Sequence, residues 1–238
     1  MTRTVLVTGG AGSMGRLVTE RLLAQGAAVR VFDLPSVSFD ALEGREGVEV
    51  VRGDLTDGAV VAAATRGVDA VVHLAAILPP LSERDVELTR RVNVEGTALL
   101  LRAVERASPD ARFVFSSSVS VYGDTSADAG PVTTRHGLAP DDAYALSKAE
   151  AEEIVARSPL KSVVLRVSGV VAPVFQEPPA EWPFRPDGRI EFIHREDAVS
   201  ALVAAVSVDV EPGVLNVAGG PSWRVRGETF VRDLFERL

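Results

Sequence analysis

The chain of 238 residues contains no cysteine, which excludes disulfides, thiolate-held metals and a cysteine nucleophile and fits a cytoplasmic setting. Apolar runs stay short of the ~20 residues a membrane-spanning helix needs, so no membrane protein is expected. The first apolar stretch, Val5-Leu6-Val7, runs straight into glycines and does not build the core of a signal peptide. Positive charge is scarce as well. Against 33 Asp and Glu stand 25 Lys and Arg, a formal net charge of −8, which argues against a nucleic-acid partner. Only two of those 25 cations are lysine, and only two residues are tyrosine. Hydrophobic residues make up 46% and are spread along the whole length, enough for one globular domain and too many for disorder.

Short β-branched runs alternate with segments of helical periodicity, the pattern of βαβ units on a parallel sheet. Strands are expected near 3–8, 28–33, 48–52, 69–74, 111–117 and 162–167. Helices are expected near 13–25, 57–66, 84–107, 143–157, 196–207 and 227–237. Runs such as Ala70-Val71-Val72 and Phe113-Val114-Phe115 are continuously apolar, as strands covered on both faces must be. The expected fold is therefore α/β, a doubly wound parallel sheet of the Rossmann type, in a single domain over 1–238. Residues 1–172 and about 190–217 would form the nucleotide-binding core, with a small substrate lobe from 173–189 and 218–238. Residues 77–83, 123–142 and the proline-rich 173–189 break the alternation. Loops of that length are often functional, and the aromatics of the last one either wall a substrate or cover the sheet.

After the first strand come Gly9-Gly10-Ala11-Gly12-Ser13-Met14-Gly15 and an amphipathic helix. Glycines at 9, 12 and 15 permit a tight turn, close approach to a pyrophosphate and close helix packing, and the helix start attracts the phosphates. The second strand ends at Asp33, 18 residues past Gly15, where a dinucleotide fold needs an acid for the adenosine ribose. A carboxylate there repels a 2′-phosphate, which favours NAD over NADP; the other reading is a turn or capping Asp before Pro35.

Tyr144-Ala145-Leu146-Ser147-Lys148 places a phenol and an ammonium on one helix face, a pattern for which composition gives about 0.02 chance matches. A lysine in a chain that otherwise uses arginine suggests that a compact ammonium is needed, to draw the phenol from its usual ~10 toward working pH. The fifth strand ends in Ser116-Ser117-Ser118, and Ser118 would point into the crevice beside that phenol.

Taken in order, Thr8–Gly15, Asp54-Leu55, His73-Leu74-Ala75-Ala76, Asn93-x-x-Gly96-Thr97, Ser116-Ser117-Ser118-x-x-x-Tyr122-Gly123, Tyr144-x-x-x-Lys148 and Leu165-Arg166 resemble the extended short-chain dehydrogenase/reductase superfamily. The closer likeness is to its NAD-dependent epimerase/dehydratase branch. It covers about residues 2–172 and resumes at Phe192-Ile193-His194-x-x-Asp197 and Asn216-x-Ala218-Gly219-Gly220. The resemblance implies Tyr144 as acid/base, Lys148 as its tuner and nicotinamide-ribose ligand, and Ser118 as donor to the substrate oxygen. It implies Gly9, Gly12, Ser13, Met14, Gly15, Asp33 and Ser116 at the cofactor, Asp54 and Leu55 at the adenine, and Leu74, Ala75 and Ala76 along its phosphate and ribose side. Asn93 either faces the site or is structural. His194 and Asp197 would anchor the lobe and cap a helix. A homodimer is also implied; no metal is.

Departures concern the substrate. Members acting on nucleotide sugars usually carry Asn where this chain has Gly169, and a longer C-terminal lobe; a chain ending at Leu238 fits a shortened family plan. Val119-Ser120 replaces the Asp-Glu pair of dehydratases. Ser118, Ser168, Gly169, Trp182, Arg185 and Arg189 are the candidates for substrate contact. The expectation is an NAD-dependent oxidoreductase acting on a secondary alcohol or ketone of a small, sugar-like molecule. Its alternatives are a nucleotide-sugar epimerase and a non-catalytic NAD-binding regulator.

Overall fold

The computed structural model describes every residue except 1, 129, 173–183, 208 and 237–238. Its strands, in chain order, are β1 (Thr4–Thr8), β2 (Ala28–Asp33), β3 (Val48–Arg52), β4 (Ala70–His73), β5 (Arg112–Ser118), β6 (Lys161–Val167), β7 (Gly169–Val171), β8 (Arg189–His194), β9 (Gly213–Val217) and β10 (Arg224–Arg226). Seven form a parallel sheet in the order β3-β2-β1-β4-β5-β6-β9. β8 pairs with β7 in parallel and with β10 antiparallel in a smaller sheet.

Helices α1 (Ser13–Ala24), α2 (Gly58–Ala64), α3 (Leu81–Arg84), α4 (Val86–Thr89), α5 (Thr97–Ala107), α6 (Ala143–Arg157), α7 (Arg195–Ala205) and α8 (Gly227–Phe235) accompany the strands. The alternation of side chains along β1 divides the core. Val5 and Val7 pack with Val18 and Leu22 of α1 and Leu202 of α7. Leu6 packs on the other face with Leu100 and Val104 of α5 and Ala151 and Val155 of α6. Both faces are covered, so the central strands tolerate no polar alternation. No helix among the described residues is long and apolar enough to cross a membrane.

Two sequence expectations change. The periodicity predicts one helix over 84–107, whereas Asp85 interrupts it and Arg90–Gly96 is π-helical. The Asp85 side chain accepts the Leu88 amide at 2.9 Å and starts α4 afresh, and the wider π turn is a distortion often found at functional sites. β7, β8, β9 and β10 are also new: β8 and β10 carry Arg, Glu and His and have no apolar run to announce them, and β7 and β9 are three- and five-residue runs that open on glycine.

The parallel register brings Thr8, His73 and Phe115 side by side, and Ser118, Val167 and Val217 likewise. Ligands of open α/β sheets bind at this carboxyl edge.

Candidate active site

At the edge of β1 the chain turns through Gly9 at φ +67°, where a Cβ would lie 2.8 Å from the Ala75 nitrogen. At Gly15 a Cβ would lie 2.3 Å from the Gly9 carbonyl oxygen, so α1 packs against the turn only without a side chain there. Gly12 caps α1 in extended conformation; no side chain satisfies this end and no acid sits in the first turn. Free N–H groups and the positive end of the helix dipole are thus left for an anion. These features fit a dinucleotide pyrophosphate.

Asp33 ends β2 half-buried, its Oδ2 accepting the Ala11 amide at 3.0 Å and its Oδ1 the Leu34 amide at 2.9 Å. The carboxylate therefore fastens the glycine loop as well as closing the strand. Asp54 is exposed and accepts both the amide and the hydroxyl of Thr56 at 2.8 Å. The Leu55 side chain is buried in the core against Gly96, so only its main chain is available to an adenine. Leu74, Ala75 and Ala76 are half-buried beyond β4, where the Leu74 amide donates to the Thr8 carbonyl at 3.1 Å.

Ser118 lies at the end of β5 and Tyr144 in the first turn of α6. The Ser118 oxygen accepts the amide of Ser120 at 3.1 Å and its hydroxyl at 2.9 Å, leaving the Ser118 proton to donate to Tyr144. One helical turn on, Lys148 is buried; its Nζ donates to the Ser116 carbonyl at 2.8 Å and lies 4.9 Å from the Phe115 ring centre and 5.8 Å from that of Tyr144. Burial lowers the Lys148 ammonium to about 8, opposed by the charge of Glu152.

The phenol does not follow the sequence expectation. Burial pushes Tyr144 up to about 12, Ser118 works against this by hydrogen bonding, and the charge of Asp142 adds to it. Lys148 stands too far off, in a hydrogen bond of its own, to reverse the loss of solvent around the phenol.

A glycine turn with an open helix start, an acid ending β2 and the Ser118, Tyr144 and Lys148 side chains thus lie along one sheet edge. The family model for NAD-dependent epimerases and dehydratases matches residues 5–181. The chain belongs to this family. Its cofactor is NAD, which the glycine cradle accommodates. Among its relatives, the 3β-hydroxysteroid dehydrogenase/Δ5→4-isomerase of Mycobacterium tuberculosis is 40% identical over 158 residues, covering 63% of this chain and 41% of that protein. D-erythronate dehydrogenase of Cupriavidus necator is 30% identical over 236 residues, covering 86% and 72%. The chain spans about half the length of the first curated relatives it matches, 54% and 41%. Thermus thermophilus UDP-glucose 4-epimerase, solved with NAD, superposes with a TM-score of 0.82 at 27% identity, over 98% of this chain and 82% of that one.

The family motifs named Arg166, Tyr122 and Asn216 without giving them work, and the structure joins them through Glu152. Glu152 of α6 receives Nε of Arg166 at 3.0 Å and Nη2 at 2.6 Å, and the pair is buried. Arg166 Nη1 donates to the Tyr122 hydroxyl at 2.7 Å, which donates to Asn216 Oδ1 at 2.7 Å. Asn93 is spent within the protein: its Oδ1 accepts the Ile77 amide at 2.7 Å, and its Nδ2 donates to the Ile77 carbonyl at 3.0 Å and Ser147 Oγ at 2.9 Å. Arg166 inside the apolar run of β6 was the sequence signal for these links.

Of the substrate candidates, Ser168 is buried and its Oγ has no hydrogen-bond partner among the described residues. Gly169 lies under Phe192, whose ring would be 2.9 Å from a Cβ at that position. Arg185 is exposed and pairs with Asp187, and Arg189 donates to the Asp128 carbonyl. Trp182 lies outside the described residues. His194 accepts the Glu196 amide at 3.2 Å and caps α7, one turn earlier than Asp197.

Proposed function

We propose that this chain is an NAD-dependent oxidoreductase acting on a secondary alcohol or ketone, with Tyr144 as acid/base. The observation that supports this best is the convergence of Ser118, Tyr144 and Lys148 on the same sheet edge as the glycine turn. The dehydrogenases among its relatives favour net redox chemistry and suggest polyhydroxy acids and hydroxysteroids as first substrates to try.

When bound, NAD supplies the acceptor or donor of hydride. The Ser118 hydroxyl would hold the reacting oxygen by hydrogen bond while Tyr144 Oη exchanges a proton with it. In reduction the oxygen gains the proton of Tyr144; in oxidation Tyr144 takes the hydroxyl proton as the carbon loses hydride. The phenol, pushed up to about 12, is in its donating form at neutral pH, as reduction requires; oxidation requires the phenolate. Lys148 is charged below about pH 8, and it would hold a ribose hydroxyl of the cofactor and add its charge in favour of the phenolate when oxidation requires it.

The test is absorbance of reduced nicotinamide with NAD, then NADP, against sugars, sugar acids, nucleotide sugars and hydroxysteroids. Tyr144→Phe should lower turnover by about 10²–10⁴-fold with little change in cofactor affinity. Retained turnover would refute the assignment. The epimerase reading draws on the likeness to UDP-glucose 4-epimerase; interconversion of sugars with no net absorbance change would favour it.

A further inference from the structure

Tyr144 is held by its main chain from outside its own helix. Its amide is among the first N–H groups of α6, which no helical carbonyl can satisfy. Glu83 of α3 takes that place: Oε1 accepts the Tyr144 amide at 3.1 Å and Oε2 the Ala143 amide at 3.0 Å. The Ser82 hydroxyl donates to Oε1 at 2.9 Å and steadies the carboxylate. On the other side the Tyr144 carbonyl accepts the Ser147 hydroxyl at 2.7 Å, and Ser147 in turn accepts from Asn93. Asn93 binds both main-chain groups of Ile77. The segment 77–93 therefore grips the peptide groups on both sides of Tyr144.

The grip completes the capping of α6 at the two amides that its N-cap does not reach. Asp142 is already the N-cap of α6 and accepts the Ala145 amide at 2.6 Å. Glu83 is exposed, and an exposed charge contributes little to stability. Its carboxyl is nevertheless held below the usual carboxylate range: slight burial opposes ionisation, and hydrogen bonds from Ala143, Ser82 and Tyr144 outweigh it.

We propose that Glu83 is a positioning residue, clamping the Tyr144 peptide so that the phenol is held against Ser118. This rests on the assignment of Tyr144 as acid/base. With only two tyrosines in the chain, ¹³Cζ-tyrosine NMR gives one resonance for Tyr122 and one for Tyr144, assigned by Tyr144→Phe. In Glu83→Ala the Tyr144 resonance should shift or broaden while that of Tyr122 stays. Amide exchange over 141–147 should quicken about tenfold. Turnover on a substrate found by the absorbance screen should fall about tenfold, with NAD affinity and Tm nearly unchanged. Glu83→Gln, which keeps one acceptor oxygen, should recover part of each effect. An unmoved Tyr144 resonance with unchanged exchange overturns the proposal. So does a common decline of both resonances, NAD affinity and Tm, which would mark a general structural role. Full turnover in Tyr144→Phe would instead remove the acid/base assignment, and the resonance and exchange data would still judge the clamp.

Discussion

Replacing Lys148 with Met should stabilise the protein while disabling the site. The side chain is 3% exposed, and burial brings its ammonium from 10.5 to about 8. That gap corresponds to roughly 3 kcal/mol by which the charged form is disfavoured in the folded state. The sign is fixed by where the proton sits. Below pH 8 the lysine is charged folded and unfolded, and the whole penalty is present. Between about 8 and 10.5 the folded protein has released a proton that the unfolded chain still binds, so stability rises with pH; above that the penalty is gone. Met keeps the length and apolar stem but leaves the Ser116 carbonyl without its donor, a loss of about 1–2 kcal/mol. The net gain at pH 7 is then about 1–2 kcal/mol, or a Tm higher by some 2–8 °C for a chain of this size. Thermal melts of cofactor-free wild type and Lys148→Met, from pH 6 to 10.5, provide the assay. The advantage of the variant should shrink through pH 8–10.5 as its turnover stays low throughout. A variant less stable than wild type at pH 7, or a difference independent of pH, would refute the reasoning.

Glu152→Gln should lower stability by about 3–5 kcal/mol in denaturant titrations, since it leaves the buried Arg166 guanidinium uncompensated. Gly15→Ala puts a methyl 2.3 Å from the Gly9 oxygen and 2.5 Å from Gly10 Cα, both main-chain atoms that give only by moving the loop. Calorimetry should show NAD affinity weakened by about tenfold or more. Asp33→Ser removes the acceptor of the Ala11 amide and, on the proposed reading, the carboxylate that receives the adenosine ribose, and should weaken NAD far more than NADP. Equal losses in parallel titrations would leave Asp33 with the turn alone.

The first six strands were legible because each carries a short apolar run; β1 and β4 are buried on both faces, whereas the edge strand β3 keeps Glu49 and Arg52 exposed. The break inside 84–107 was not, because Asp85 caps a new helix without disturbing the apolar period around it. β8 was hidden for another reason: Arg189, Glu191 and His194 are acceptable in a strand whose partners, β7 and β10, are themselves short and half-exposed. At the site, spacing alone joined Tyr144 to Lys148, which share a helix. It could not join Tyr144 to Glu83, or Glu152 to the hydroxyl of Ser117 on β5, because those pairs meet only once the sheet has formed. The acidity of Tyr144 was misjudged for the same reason, since it depends on how much water the fold removes.

His73, at the end of β4, is held neutral by its hydrogen bonds and burial. Its Nδ1 meets Thr8 Oγ1 at 2.6 Å and its Nε2 meets Thr97 Oγ1 at 2.9 Å. Thr97 spends its proton on the Asn93 carbonyl at 2.6 Å, so its oxygen accepts from Nε2–H, and Nδ1 accepts from Thr8. That arrangement requires a neutral ring, and burial together with the charge of Lys148 lowers His73 to about 3. Were the ring protonated, Thr8 could no longer donate to it, and a second buried cation would stand near Lys148. His73 thus contributes no titration near neutral pH. Instead it fixes the Thr97 and Asn93 end of the segment that grips Tyr144. Ionisation is left to Lys148, whose fall to about 8 places its charge change just above neutrality. The histidine in the motif His73-Leu74-Ala75-Ala76 therefore serves as a neutral link between β1, β4 and α5, and the lysine as the group whose charge is sensitive to pH.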